Sequence, residues 1–170
     1  MKRSIAFARV AWIAAALGLG CSSTTTGPSS EGSGAAAFAG TYTATYLGTY
    51  AITSPVNEPM TQNTESGTFV ISAPTASTLS VQATFTGAGG VSGVCTGSAN
   101  VTGDTASSNP VDQSCTYDVT GGTQTNVGSS AFTLSGNTIT DLLTGTFTGL
   151  STSGSYGGSF SGTWMLTRQP

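Results

Sequence analysis

No histidine occurs in these 170 residues, and lysine and arginine together number only four. Three of the four, Lys2, Arg3 and Arg9, fall in the first nine positions. From residue 10 onward a single cation, Arg168, faces seven acids, a net charge of −6. Each absence removes a class of function. Without imidazole there is no Ser-His-Asp or Cys-His nucleophile and no histidine metal site. Without a lysine beyond Lys2 there is no Schiff-base or phosphate-loop lysine. Without clustered cations the chain has no grip on nucleic acid and no polybasic membrane patch. No Gly-x-Ser-x-Gly elbow occurs. The run Gly87-Ala88-Gly89-Gly90 lacks the following helix that a phosphate cradle needs, and reads as a hairpin turn.

Charged residues make up 6% of the chain, against about 25% in typical soluble domains. Threonine, serine, glycine and asparagine fill the deficit, while 37% of residues remain hydrophobic. That content, arranged in regular alternation, points to a folded antiparallel β protein of the exported kind.

The N-terminus reads as an address. Lys2, Arg3 and Arg9 precede an apolar run from Val10 to Leu19, followed by Gly20-Cys21. A basic head, a short apolar stretch and a small residue before the cut mark a secretory signal. About ten apolar residues are too few to span a bilayer, which takes roughly 20. The segment Leu17-Gly18-Leu19-Gly20-Cys21 resembles the lipobox of bacterial lipoproteins, with Gly18 where leucine is usual. The resemblance implies cleavage after residue 20, lipidation of Cys21 and attachment to the membrane. Ordinary cleavage after Ala14-Ala15-Ala16 with full secretion is the alternative. Residues 22 to 34 form a Ser/Thr/Gly tether with nothing to bury. Ser22, where an inner-membrane retention signal would carry aspartate, leans toward the outer membrane of a bacterial envelope. The expected organisation is signal peptide 1–20, lipidated cysteine and tether 21–37, and one all-β domain 38–170 with one core.

With Cys21 lipidated, Cys95 and Cys115 remain in an oxidising compartment and are expected to pair. Two separately buried thiols are the alternative. No stretch beyond the leader carries helical spacing; alternation recurs instead. Tyr42, Ala44 and Tyr46 share one face, as do Leu79, Val81, Ala83 and Phe85. Val91, Cys95, Ala99 and Val101 form another such face, followed by Cys115, Tyr117 and Val119. Thr68 to Ser72, Ala131 to Leu134, Thr138 to Leu143, Thr146 to Leu150 and Tyr156 to Arg168 complete roughly eight or nine strands. Gly136-Asn137 marks a tight hairpin. Longer connections are expected over 51–67, with Pro55 and Pro59, and over 103–114, with Pro110. A Gly-Thr/Ser-aromatic pattern recurs at Gly40, Gly48, Gly67, Gly145, Gly158 and Gly162. It is read as a glycine bend, an outward hydroxyl and an inward ring.

Short meandering strands predict an antiparallel up-and-down barrel, whose closure removes exposed edges; a β-sandwich is the alternative. Gly40-Thr41-Tyr42 and Gly162-Thr163-Trp164-Met165-Leu166-Thr167-Arg168 resemble the first and last strands of lipocalin-like and avidin-like barrels. That implies an architecture and no ligand, since the avidin family's polar biotin-binding set is not found.

Twelve of the fourteen aromatics lie beyond the leader. Tyr42, Tyr46, Phe85, Tyr117, Phe160 and Trp164 are the candidates to line a pocket for a small apolar ligand, or else to fill a small barrel solidly. Among the acids Glu58, Glu65, Asp104, Asp112, Asp118 and Asp141, most fall in expected loops or on outward positions. Asp141 shares the parity of Ile139 and Leu143, which a strand that twists or ends there would explain. A barrel-interior carboxylate is the functional reading. Asp104, Asn109 and Asp112 share one loop and form a weak calcium candidate that matches no EF-hand spacing; no metal or cofactor is otherwise expected. The sequence thus predicts a lipid-anchored envelope protein with a non-enzymatic β domain, structural or binding a small ligand or surface partner. The alternative is a carboxylate-only hydrolase acting on envelope glycans. The oligomeric state is open.

Overall fold

The computed structural model describes residues 34–87, 91–108, 113–119 and 121–170. The leader, Cys21 and the tether up to residue 33 lie outside these residues, as do Asn109 and Asp112 of the calcium candidate. One helical turn, α1 (Ala35–Phe38), precedes nine strands. These are β1 (Gly40–Ser54), β2 (Thr61–Thr75), β3 (Thr78–Gly87), β4 (Ser92–Thr102), β5 (Thr105–Ser107), β6 (Gln113–Val119), β7 (Gly122–Ser135), β8 (Thr138–Ser151) and β9 (Gly154–Arg168).

All pairings are antiparallel and close into a ring. β1 pairs with β2 on one side and β9 on the other, so the first and last strands seal the barrel. β4 pairs with β5 through Asn100–Thr102 and with β6 through Ser92–Gly97. β5 and β6 then both pair with β7. The two short strands are successive halves of one stave, and the nine strands make an eight-staved barrel. The described residues form one continuous closed sheet with no second sheet facing it, which excludes the sandwich alternative.

The alternation seen in the sequence is the alternation of inside and outside. On β1, Tyr42, Ala44 and Tyr46 are buried while Thr41, Thr43, Thr45 and Leu47 are exposed. Thr75 pairs with Thr78, Thr102 with Thr105, Ser135 with Thr138 and Ser151 with Gly154, each across a two-residue turn. In the β7–β8 turn Gly136 takes φ 59°, a left-handed conformation that glycine adopts without Cβ strain, as Gly136-Asn137 predicts.

Three expectations need correction. The connection over 51–67 shrinks to residues 55–60, because β1 runs to Ser54 and β2 begins at Thr61. The connection over 103–114 contains β5 and the start of β6. In the first case the inward residues Thr61, Asn63 and Glu65 are polar, so they carry no hydrophobic alternation even though the backbone is paired. Residues 35–37, expected in the tether, belong to α1, whose Ala35 and Phe38 are fully buried against the barrel base. The recurrent glycines also act differently from the reading above. Only Gly40 opens a strand; the others sit within strands. At Gly162 a Cβ would lie 2.5 Å from the Tyr46 ring, so the glycine makes room for an aromatic on the adjacent strand rather than a bend.

The base is solid. Leu79, Ile139, Leu166 and Phe132 pack under α1 with Tyr42. Tyr42 Oη donates to the Phe38 carbonyl at 2.7 Å and accepts from Arg168 Nη2 at 2.7 Å and Nε at 3.1 Å. Arg168 Nη2 also donates to the Ala37 carbonyl, and its guanidinium lies 5.3 Å from the Tyr42 ring centroid. The lone cation of the barrel thus ties its last strand to the plug.

Cys95 and Cys115 face inward from directly opposed positions on β4 and β6 and form the expected disulfide. The bond joins residues 20 apart. Replacing both (Cys95→Ala with Cys115→Ala) is expected to lower the unfolding free energy by about 3 kcal/mol, read by urea denaturation without reductant. Reductant should bring the native protein toward the same midpoint and leave the variant unmoved.

Candidate ligand cavity

The half of the barrel away from α1 is not filled. Its inner positions carry Thr61, Asn63 and Glu65 from β2, Gly87 from β3, Gln124 and Asn126 from β7, and rings from β1, β6, β8 and β9. Polar side chains and a glycine here replace the branched aliphatics of the base. They leave a cavity of about 480 Å³ between the barrel centre and its mouth, a volume typical of small-molecule sites.

Aromatic rings make the walls. Tyr46 lies 5.1 Å from Trp164 between ring centroids, and Phe147 stands 6.4 Å from Tyr50 and 6.1 Å from Tyr156. Four of the six aromatics expected at a ligand site, Tyr46, Tyr117, Phe160 and Trp164, line this cavity. Tyr42 does not; it is part of the base. Phe85 does not either; it is wedged against Tyr117 at 4.8 Å and Trp164 at 5.9 Å and supports them from the core. Sequence reading missed Tyr50, Phe147 and Tyr156, although Tyr50 and Phe147 end two of the Gly-Thr-aromatic repeats.

Two polar groups of side chains face the cavity. On one wall Tyr156 Oη donates to Gln124 Oε1 at 3.1 Å, Gln124 Nε2 donates to Asn126 Oδ1 at 2.7 Å, and Asn126 is hydrogen-bonded to Tyr117. Four staves away round the ring, Asn63 Nδ2 donates to Glu65 Oε1 at 2.7 Å. Burial raises the Glu65 carboxyl above its ordinary value, and the Asn63 bond offsets part of that rise. Glu65 was expected in a loop; β2 instead turns it inward, opposite Tyr46. Burial also pushes Tyr46 up to about 12, with Glu65 and Asp141 adding to the shift, and it raises Tyr117 and Tyr156.

Asp141 corrects a further expectation. Its strand neither twists away nor ends; β8 continues to Ser151, and Asp141 is fully buried inside the barrel opposite Trp164. Ser130 Oγ donates to Oδ2 at 3.1 Å, while Oδ1 is buried with no hydrogen-bond partner. Loss of solvation pushes this carboxyl up to about 7, against partial relief from Ser130 and the Ala131 amide. Asp141 is not part of the cavity wall. Of the other acids, Glu58, Asp104 and Asp118 are exposed, and Asp104 sits in the β4–β5 turn.

No family model matches the chain, and no curated protein does. Among solved structures it is similar to EF1p2_mFAP2b bound to DFHBI, at 19% identity and a TM-score of 0.45, over 79% of this chain and 96% of that one.

Asp141 makes stability depend on pH with a definite sign. Its carboxyl titrates near 3.8 when free and near 7 in the barrel, so between these values the folded state holds a proton that the unfolded chain releases. Stability from this group is full below 3.8 and is lost as pH rises to about 7. Between pH 5 and 7 the unfolding free energy should fall by up to about 1.4 kcal/mol per pH unit. Asp141→Asn should flatten that slope and exceed the native protein in stability at pH 8, measured by urea unfolding.

Proposed function

We propose that this protein is a lipid-anchored bacterial envelope protein whose barrel binds a small, largely apolar molecule without transforming it. The half-open aromatic cavity above a solid base carries the reading. Its volume suits a small molecule, its rings offer broad apolar contact, and its polar rim offers orienting hydrogen bonds. The anchor rests on the lipobox-like Leu17 to Cys21 and on the tether behind it. With residues 1–20 removed, the chain would begin at a lipidated Cys21 and hold the barrel off an outer membrane. The hydrolase alternative needs two acids converging on one cleft. Glu65 meets the cavity, but Asp141 is buried behind its wall, which favours binding over catalysis.

Trp164 provides the readout for binding. It is the sole tryptophan once residues 1–20 are removed, and Trp12→Phe makes it so in the uncleaved chain; it stands in the cavity wall. Titrating this variant with the neutral probe N-phenyl-1-naphthylamine should quench Trp164 and enhance the probe with a saturable curve. No saturable change overturns the binding reading. Anchoring is tested separately: labelled palmitate fed to an expressing bacterium should mark the protein and should not mark Cys21→Ala. A soluble, unlabelled native protein overturns the anchor.

A further inference from the structure

Glu65 places a carboxylate in an aromatic cavity for which the barrel provides no counter-ion. Beyond residue 9 the chain has one cation, and it is committed elsewhere. The Arg168 guanidinium is bound to Tyr42 and the Ala37 carbonyl at the barrel base, the end away from the cavity. Among the described residues the Glu65 carboxyl accepts one side-chain hydrogen bond, from Asn63, a neutral donor to a single oxygen. In the β-ladder its neighbours are Tyr46 on one side and Gly87 on the other, so one flank is a ring and the other is bare backbone. Tyr46 in turn contacts Trp164.

Acid, ring faces and an absent protein cation together define a ligand chemistry. Resting on the binding reading above, we propose that the cavity is selective for organic cations: an ammonium group on an apolar or aromatic body, seated between Glu65 and the rings of Tyr46, Tyr117 and Trp164. A desolvated cation gains from the electron-rich ring faces and from the carboxylate, while its apolar body covers Phe147, Phe160 and Leu143. The ligand itself completes the ion pair. A half-buried carboxylate without an ionic partner carries a desolvation cost, and a bound cation relieves that cost where a neutral molecule cannot.

The test uses two probes of nearly equal shape, benzyltrimethylammonium and neopentylbenzene, in which the quaternary nitrogen is replaced by carbon. Both are titrated into Trp12→Phe and into Trp12→Phe with Glu65→Gln, following Trp164 emission at pH 8. The expected result is binding of the cation at least about ten-fold tighter than its neutral twin. Glu65→Gln should reduce the cation's affinity by about ten-fold or more and change that of neopentylbenzene by less than about two-fold. The neutral probe thereby checks that the variant keeps its cavity. Equal affinities for the two probes, or a cation affinity unmoved by Glu65→Gln, overturn the inference. If N-phenyl-1-naphthylamine binds in those cases, the cavity reading stands and only its cation selectivity fails. If no probe binds, both fail.

Discussion

Closure between β1 and β9 is the constraint on which the rest of the molecule depends. Tyr42 to Ser54 on the first strand run opposite Arg168 to Gly157 on the last, so no long unpaired edge separates the chain ends. Once eight staves close, the interior has a fixed and narrow radius. Every inward side chain then competes for the same space. Tyr46 fits because Gly162 across the seam has no side chain, and Phe85 fits between Tyr117 and Trp164. The seam also brings Arg168 onto Tyr42 and α1, which shuts one end.

With one end shut, the contents of the other end decide what the barrel is for. Branched aliphatics fill the base, where they interdigitate to the density of a normal core. In the upper half the inward positions of β2 and β7 are polar, and polar side chains that hydrogen-bond along their own strand stay near the wall. Asn63 to Glu65 and Gln124 to Asn126 are such bonds, each spanning two residues on one face. The centre is left open as a result. Glu65, one of the side chains that leave it open, also charges it, and Arg168, sequestered at the base, does not neutralise it.

The fold was legible in the sequence because period-2 alternation survives wherever the inner face is apolar. Tyr42 to Tyr46, Leu79 to Phe85 and Tyr156 to Leu166 read directly as strands, and both cysteines fell on inner faces. The alternation disappears where the inner face is polar: Thr61, Asn63 and Glu65 resemble a loop because nothing apolar marks their parity. Asp141 carried the right parity, yet a lone acid among apolar residues suggests a strand ending more readily than a buried charge.

The sequence by itself determined the all-β class, the tight turns, the cysteine pair as the disulfide candidate and the exclusion of histidine and lysine chemistry. Those follow from residue type and local spacing, which the linear chain contains. Tertiary structure alone decided which aromatics line space and which fill it, placing Tyr46, Tyr117, Phe160 and Trp164 at the cavity and Tyr42 and Phe85 away from it. It also decided that Glu65 and Asp141 face inward, and that Arg168, the only arginine among the described residues, is held at the end of the barrel away from Glu65. Height along a barrel and distance across it depend on register and closure among strands far apart in sequence, and no local pattern encodes them.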